Sequence, residues 1–168
     1  LVFVMKIKIA FYKGGTEWQH KIIRWWTKSI YSHVELIMPD NYTWISISPF
    51  LESKVSKRIK TDFDLENWDF LSLDITEKQH NSLISFYDGT EGSAYDWFGM
   101  LLSQFTPFKI KSKHKWYCSE WIMHALVLCG ILSWQDVRIF DKIDMRPSDL
   151  YHIVENHTND ILSDDNGI

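Results

Sequence analysis

The alternation of apolar and polar side chains along the first half of the chain predicts a series of short β-strands. The predicted strands cover residues 6–12, 31–38, 43–48, 54–61 and 68–73. A Pro-Asp-Asn turn at 39–41 joins the second strand to the third, so these two strands are expected to pair as a hairpin. The glycine pair Gly14-Gly15 is expected to end the first strand in a turn.

Apolar residues that recur with a period near 3.6 predict helices between and after these strands. The first helix is expected to follow Thr16, a suitable N-cap residue. The next follows Thr76, which has capping-box spacing to Gln79, and a third is expected to be capped by Ser93. Residues 105–115, which contain alternating lysines, are predicted to form a loop.

The last third of the chain is predicted to be helical. One helix is expected to begin at Cys118 and to stop at Gly130, and a short one is expected from Pro147, before a frayed polar tail. This order of elements differs from the repeated βαβ units of a parallel sheet. It predicts an α+β fold in which a small antiparallel sheet packs against helices.

The composition is typical of one globular domain. The chain has 168 residues, of which 45% are apolar and 24% are charged. The domain is expected to cover residues 6–152, with 1–5 as an apolar N-terminal extension and 153–168 as a polar, partly disordered tail. The formal net charge of −4 argues against a general nucleic-acid-binding protein.

Neither a membrane span nor a covalent cross-link is expected. Apolar runs stay below the ~18 residues that a membrane span needs, and no signal-peptide pattern is present, so a cytoplasmic protein is expected. The two cysteines, Cys118 and Cys129, are eleven positions apart in one predicted helix, too far along its axis to form a disulfide. The spacing of His and Cys residues does not suit zinc, so neither a metal nor a cofactor is expected.

The candidate chemistry depends on Cys118 and His33. A thiol in the first turn of a helix faces unpaired backbone N–H groups and the positive end of the helix dipole, which favour the nucleophilic thiolate. His33 lies on a predicted strand, and Glu35 shares its face. A cysteine that opens a helix and a histidine on a strand are the components of a Cys/His nucleophilic site.

Each of these residues also has a purely structural interpretation. Free cysteines are among the most buried residues, and Cys129, within an apolar run, is expected to belong to the core. A strand histidine is often a hydrogen-bonded structural residue, and Glu35 could be a salt-bridged carboxylate. The alternating lysines of the 105–115 loop could be a solvated face or a basic border that attracts an anionic substrate.

Four segments of the chain resemble a known group of enzymes. They are Tyr31-Ser32-His33-Val34-Glu35-Leu36, Trp44-Ile45-Ser46-Ile47-Ser48, Tyr95-Asp96-Trp97 and Tyr117-Cys118-Ser119-Glu120. In this order they resemble the circularly permuted NlpC/P60 (papain-like) cysteine hydrolases, which include YiiX-like proteins, lecithin:retinol acyltransferase-like proteins and several phage-encoded members. The similarity extends over roughly residues 6–150.

The resemblance implies roles for individual residues. Cys118 would be the nucleophile, His33 the general base, and a third polar residue would orient the imidazole. Family members often place that residue on the following strand, which here offers only Ser46 and Ser48. Glu35 shares the strand face of His33, but side chains at i and i+2 are about 7 Å apart. An electrostatic influence of Glu35 is therefore expected more than a direct hydrogen bond.

The expected function is hydrolysis of an amide bond, in a peptide, an isopeptide or peptidoglycan, through a Cys118 thioester. A lipid thioesterase or acyltransferase of the same fold, acting on a lipid-like acyl substrate, is the alternative enzyme. A catalytically inactive binding module is the alternative outside enzymes, because no carboxylate occupies the expected third position. If the chain is encoded by a bacteriophage, it could also be associated with the virion.

Overall fold

The computed structural model describes residues 4–47, 54–61, 65–95, 115–116, 118–135 and 145–165. The strands are β1 Val4–Tyr12, β2 His33–Ile37, β3 Thr43–Ile47, β4 Val55–Ile59, β5 Trp68–Thr76, β6 Ala94–Tyr95 and β7 Lys115–Trp116. The helices are α1 Trp18–Thr27, α2 Glu77–Thr90, α3 Cys118–Leu128 and α4 Pro147–Asp165. A single 3-10 turn, Leu65–Asn67, precedes β5.

Five strands form one antiparallel sheet in the order β4-β3-β2-β1-β5. β2 and β3 are the predicted hairpin, with Ile37 opposite Trp44. β1 lies between β2 and β5, so Tyr12 is opposite both His33 and Trp68. The sheet and its covering helices confirm the α+β class.

The two faces of the sheet have different roles. One face packs against α2, α3 and α4 and forms the main core, which includes Ile9, Phe11, Val34 and Leu36 of the central strands. The opposite face carries a smaller apolar cluster of buried residues around Trp44. Its other members are Ala10 and Ile37, with Trp68 and Phe70 packed against them.

Most of the predicted elements are present, with shifts at their ends. The predicted strand 68–73 continues to Thr76 because its alternation continues, with Leu73 and Ile75 both buried. The first helix follows Glu17, whose side chain makes no cap hydrogen bond, so Thr16 as N-cap was wrong. The capping box of Thr76 and Gln79 is confirmed.

The helix expected after Ser93 is wrong at its start. Ala94 and Tyr95 form strand β6, which pairs in parallel with Lys115 and Trp116. Pairing with a strand far along the chain overrode the local helical pattern, as tertiary contacts often do. The remainder of that predicted helix, and nearly all of the predicted loop 105–115, lie outside the described residues.

The helix expected from Pro147 is much longer than predicted. α4 continues to Asp165 through the segment that was expected to fray. Leu150, Ile153 and Val154 are buried in the main core, so one apolar face is present within a sequence that is polar on average. At the other end, β1 begins at Val4, within the expected extension.

The turn between β1 and α1 is held from two sides. Arg24 of α1 donates hydrogen bonds to the carbonyl oxygens of Gly14 and Gly15, at 2.5 and 2.9 Å. A Cβ on Gly14 would overlap the side chain of Asn67, and Gly15 has a φ of 86°. The turn therefore needs glycine, and it places His20 beside Ser32, which precedes β2.

We predict that Gly15→Ala lowers the free energy of unfolding more than Gly92→Ala does. Both replacements put alanine at a positive φ, 86° and 79° respectively, which costs about 1–2 kcal/mol. Only at position 15 would the new Cβ meet a close neighbour, His20 Cδ2 at 2.7 Å, which adds roughly 1 kcal/mol or more. Urea unfolding measures the difference, and equal losses would contradict close packing of the turn on His20.

Candidate active site

Cys118 is the first residue of α3, as predicted, and its side chain is buried, with 5% of the residue exposed. α3 is rich in apolar residues and packs against β2 and β3. The Ser119 hydroxyl donates to the carbonyl oxygen of Met145, just before α4, and so holds the first turn of α3 in place. The thiol is thus fixed at a helix N-terminus, next to backbone N–H groups that have no partner within the helix.

His33 is the first residue of β2 and is also buried. The Tyr31 hydroxyl donates to Asp69 Oδ2 at 2.7 Å, and Lys13 Nζ donates to Asp69 Oδ1 at 2.6 Å. In addition, the Ser32 amide donates to the Tyr12 carbonyl at 2.9 Å. These contacts join β5 and the end of β1 to the residues before β2, and they set the position from which His33 projects.

The structure brings the Cys118 thiol beside the His33 imidazole. A side-chain hydrogen bond and the charge of Cys118 are among the interactions that raise the pKa of His33. His33 Nε2 is occupied by Glu35, whereas Nδ1 is buried and meets no partner in regular hydrogen-bond geometry. We infer that the Cys118 thiol lies beside the imidazole ring and that Nδ1 is the ring nitrogen available to it. The thiol is not in hydrogen-bond alignment with Nδ1. Such contacts often tighten only when substrate binds.

Glu35 makes the direct hydrogen bond to His33 that was considered less favourable from the sequence. Glu35 Oε1 lies 3.2 Å from His33 Nε2, and only 2% of the Glu35 side chain is exposed. The distance of about 7 Å along the strand separates the backbone positions of His33 and Glu35, from which the two side chains begin. The three-carbon side chain of glutamate and the imidazole ring together close that gap, so the preference for an electrostatic influence over a direct hydrogen bond was wrong.

Two cations from β4 and the residue after it converge on the same carboxylate oxygen. Arg58 Nη2 donates to Glu35 Oε1 at 2.5 Å, and Lys60 Nζ donates to it at 3.1 Å. Burial by itself raises the pKa of Glu35, but the hydrogen bond and charge of His33, with the charges of Lys60 and Arg58, lower that pKa to about 2. Glu35 is therefore an ionised carboxylate at neutral pH.

The pKa of His33 moves in the opposite direction. Burial by itself lowers it, but hydrogen bonds and charges from Cys118 and Glu35 outweigh burial and raise the pKa to about 9. The imidazole is consequently protonated at neutral pH. A cationic ring beside a sulfur atom stabilises the negative thiolate form of that sulfur.

Aromatic rings surround this charged cluster. The Lys60 ammonium lies 4.1 Å from the ring centre of Trp44 and 4.8 Å from that of Trp68. Trp68 also lies edge-on to His33, with ring centres 6.5 Å apart. The cation–π contacts hold Lys60 in place, and the apolar rings reduce the solvent screening of the charges.

The two serines proposed as orienting residues have different outcomes. Ser46 is buried and lies 3.5 Å from Arg58 Nη2, at the limit of a hydrogen bond. The β2–β3 register, continued by one pair, places Ser46 opposite Glu35 and not opposite His33. Ser48 lies outside the described residues. The described residue that contacts the second imidazole nitrogen is Glu35.

Reasoning from the sequence missed Arg58, Lys60 and Trp68. Arg58 lies on β4, two strands from β2, and reaches Glu35 across β3. The alternation of apolar and polar residues along β4 separates its two faces, but it does not show which side chain reaches the buried carboxylate of Glu35. Trp68 approaches from the far side of β1, because Tyr12 is opposite both Trp68 and His33.

Cys129 behaves as the sequence predicted, as a buried core residue. Burial raises the pKa of its thiol. Within the described ranges, His, Cys, Asp and Glu residues do not gather in groups of three or more that could hold a metal ion. Also within those ranges, none of the helices has the length and apolar character required to cross a membrane.

We predict that Glu35→Gln lowers the free energy of unfolding at pH 7 by about 3 kcal/mol, because the buried His33 and the partly buried Arg58 and Lys60 lose their counter-charge. The pKa of Glu35 is about 2 in the folded protein against 4.5 ordinarily. Its stabilising contribution is therefore complete above pH 4.5 and is lost as the pH falls towards 2. Urea unfolding between pH 2.5 and 7 should show a shallower acid loss in Glu35→Gln than in wild type.

The matched control for this prediction is Asp74→Asn. Asp74 forms an exposed ion pair with Lys6 at 3.5 Å, and such pairs contribute at most about 1 kcal/mol. The control should change the free energy of unfolding at pH 7 by no more than this amount. If Glu35→Gln and Asp74→Asn behave alike, Glu35 is not the buried counter-charge of this cluster.

Comparison with known proteins adds no family assignment. No family model matches the chain, and no curated protein matches it. The resemblance to the permuted NlpC/P60 hydrolases therefore depends on the motifs around His33 and Cys118, and it stays a hypothesis about the family.

Proposed function

We propose that this protein is a cysteine hydrolase that cleaves an amide bond through a thioester on Cys118. His33 is the general base and acid of the reaction, and Glu35 orients its ring. The observation that carries the proposal is the placement of the buried His33 imidazole between the Cys118 thiol and the Glu35 carboxylate. A base held between a nucleophile and an orienting acid is the arrangement on which nucleophilic catalysis depends.

The reaction proceeds in two stages. The Cys118 sulfur, its proton held by His33, attacks the amide carbon, and the carbonyl oxygen becomes an oxyanion. When the C–N bond breaks, His33 donates its proton to the departing amine, and a thioester remains. His33 then accepts a proton from a water molecule that attacks the thioester carbon. The C–S bond breaks, the acid is released and the thiol is restored.

The first turn of α3 supplies electrostatic support to the oxyanion. The N–H groups at a helix N-terminus point outwards and have no intrahelical acceptor, so the Cys118 backbone N–H is a suitable donor. Losing one such donor typically costs about 100-fold or more in rate. The positive charge of His33 at neutral pH, which follows from its raised pKa of about 9, favours the same negative intermediate.

Glu35 is an orienting residue and does not take the proton of His33. With a pKa of about 2 it stays ionised, because Arg58 and Lys60 also hold its charge. Its bond to Nε2 fixes the ring so that Nδ1 is available to the sulfur. The inactive-module alternative was based on the lack of a carboxylate on β3. Glu35 on β2 fills that role, which favours the enzyme.

The permuted papain-like fold belongs to the same proposal. It accounts for a nucleophile at the start of a helix that packs on an antiparallel sheet carrying the histidine upstream in the chain. This order and this packing are compatible with the motifs from which the resemblance was drawn. An amide is proposed as the substrate because the protonated His33 can supply the proton that an amine leaving group requires.

The test is alkylation of the two thiols by iodoacetamide at pH 6, followed by mass spectrometry of the Cys118 and Cys129 peptides. We expect Cys118 to react at least about tenfold faster than an unperturbed thiol, since little of a thiol with a pKa near 8.5 is ionised at pH 6. Cys129 should react slowly, because burial raises its pKa. In His33→Ala, the fast reaction of Cys118 should be lost.

His152→Ala is the matched control, because its side chain is 63% exposed on α4. This variant should label like wild type, and circular dichroism should confirm that all the variants are folded. Slow labelling of Cys118 in the folded wild type, or fast labelling that survives His33→Ala, would refute the Cys/His pair. A pair that passes this test justifies a screen of amide substrates, with Cys118→Ala as the inactive reference.

A further inference from the structure

The outer face of α1 carries an exposed apolar stripe. We call Trp18, Ile22 and Trp25 of α1, together with Ile30 three residues beyond the end of the helix, the α1 stripe; their exposed fractions are 67%, 43%, 77% and 65%. The first three are spaced i, i+4 and i+7 and so lie along one side of the helix. Large apolar side chains are usually exposed singly, so a row of this kind indicates a surface that is covered by something else.

The charges around the stripe are mostly positive. α1 contains no Asp or Glu, and Lys21 and Lys28 are exposed beside the stripe. Residues 13–30 hold four basic residues and one acidic residue, Glu17, a formal charge of +3 in a chain whose net charge is −4. The stripe therefore lies within a local basic region on an otherwise acidic protein.

The opposite side of α1 faces the candidate active site. Ile23 is buried, and Arg24 holds the Gly14-Gly15 turn. His20 Nδ1 lies 2.9 Å from the hydroxyl oxygen of Ser32, the residue next to His33. α1 thus separates the region of His33 from the outer surface by the width of one helix, which is about 10–12 Å with side chains.

We propose that the α1 stripe docks the protein on the surface of an anionic lipid bilayer. The indoles and isoleucines enter the boundary between headgroups and acyl chains, where tryptophan is enriched, and Lys21 and Lys28 contact anionic headgroups. A helix with apolar residues on one face, lysines at its margin and no acidic residue has the character of an interfacial helix.

A protein partner fits this surface less well. Since an aromatic side chain offers about 150–250 Å² in total, the two exposed indoles present on the order of 300 Å², and the smaller side chains of Ile22 and Ile30 add less than that. That is well below the ~800 Å² that each partner buries in a standard protein interface. An interfacial helix needs only its own apolar face and the electrostatic attraction of the lipids, both of which α1 has.

The test is flotation of the purified protein with large unilamellar vesicles of phosphatidylcholine and phosphatidylglycerol, 1:1, in 50 mM salt. We expect the wild type to float with these vesicles and not with pure phosphatidylcholine. Trp18→Ser/Trp25→Ser should lower the partition coefficient by at least about tenfold, because two apolar side chains are removed from the contact. Lys21→Gln/Lys28→Gln should weaken binding, as should 500 mM salt.

Trp134→Ser is the matched control, because Trp134 is a similarly exposed tryptophan, at 56%, outside α1. It should float like wild type. Failure of the wild type to float would overturn the proposal, and so would equal losses in Trp134→Ser and the α1 variants. If the wild type binds no vesicles but forms a dimer in size-exclusion chromatography, and Trp18→Ser/Trp25→Ser loses that dimer, the stripe is a protein interface instead.

The flotation test does not depend on the proposed hydrolase activity. Cys118→Ala should float like wild type, because Cys118 is buried and lies outside the stripe. The lysine variant keeps both tryptophans, so it tests the proposal even if the tryptophan variant folds poorly. Thermal unfolding of each variant shows whether it is folded, and flotation is compared between folded variants.

Discussion

The buried carboxylate of Glu35 is the constraint on which the candidate active site depends. One of its oxygens accepts hydrogen bonds from His33 on β2, Arg58 on β4 and Lys60 just beyond β4. Edge strand β4 is thereby tied to β2 across β3, and the imidazole is held in place by the Glu35 bond. Without a buried negative charge at this point, three positive groups would meet in an apolar setting, which is strongly unfavourable.

The charge balance of this cluster explains why it suits a nucleophilic thiol. His33, Arg58 and Lys60 carry three positive charges at neutral pH, and Glu35 carries one negative charge, so positive charge is in excess. A thiolate on Cys118, and later an oxyanion beside it, would offset part of that excess. The surrounding indoles of Trp44 and Trp68 keep these interactions strong by limiting solvent screening.

The sequence predicted those parts of the site that depend on residue type and local position. Cys118 at a helix start and His33 on a strand follow from patterns within a few residues of each. Arg58 and Trp68 could not be predicted in this way, because they reach the site through strand pairings that link distant segments. The same limitation explains the error at Tyr95, where a strand that pairs with β7 stands in place of the predicted helix. The hydrogen bond between Glu35 and His33 was missed for another reason, because the length of the two side chains was left out of account.

α1 connects the two proposals and also keeps them separable. Its inner residues, His20 and Arg24, contact Ser32 and the glycine turn, so a disturbance of this face changes the surroundings of His33. The stripe points away from these contacts, and its substitution leaves the ring and the thiol untouched. A docked α1 would bring the region of His33 within about one helix diameter of the lipid surface. Substrates attached to that surface would then reach Cys118 by diffusion in two dimensions, without first dissolving in water.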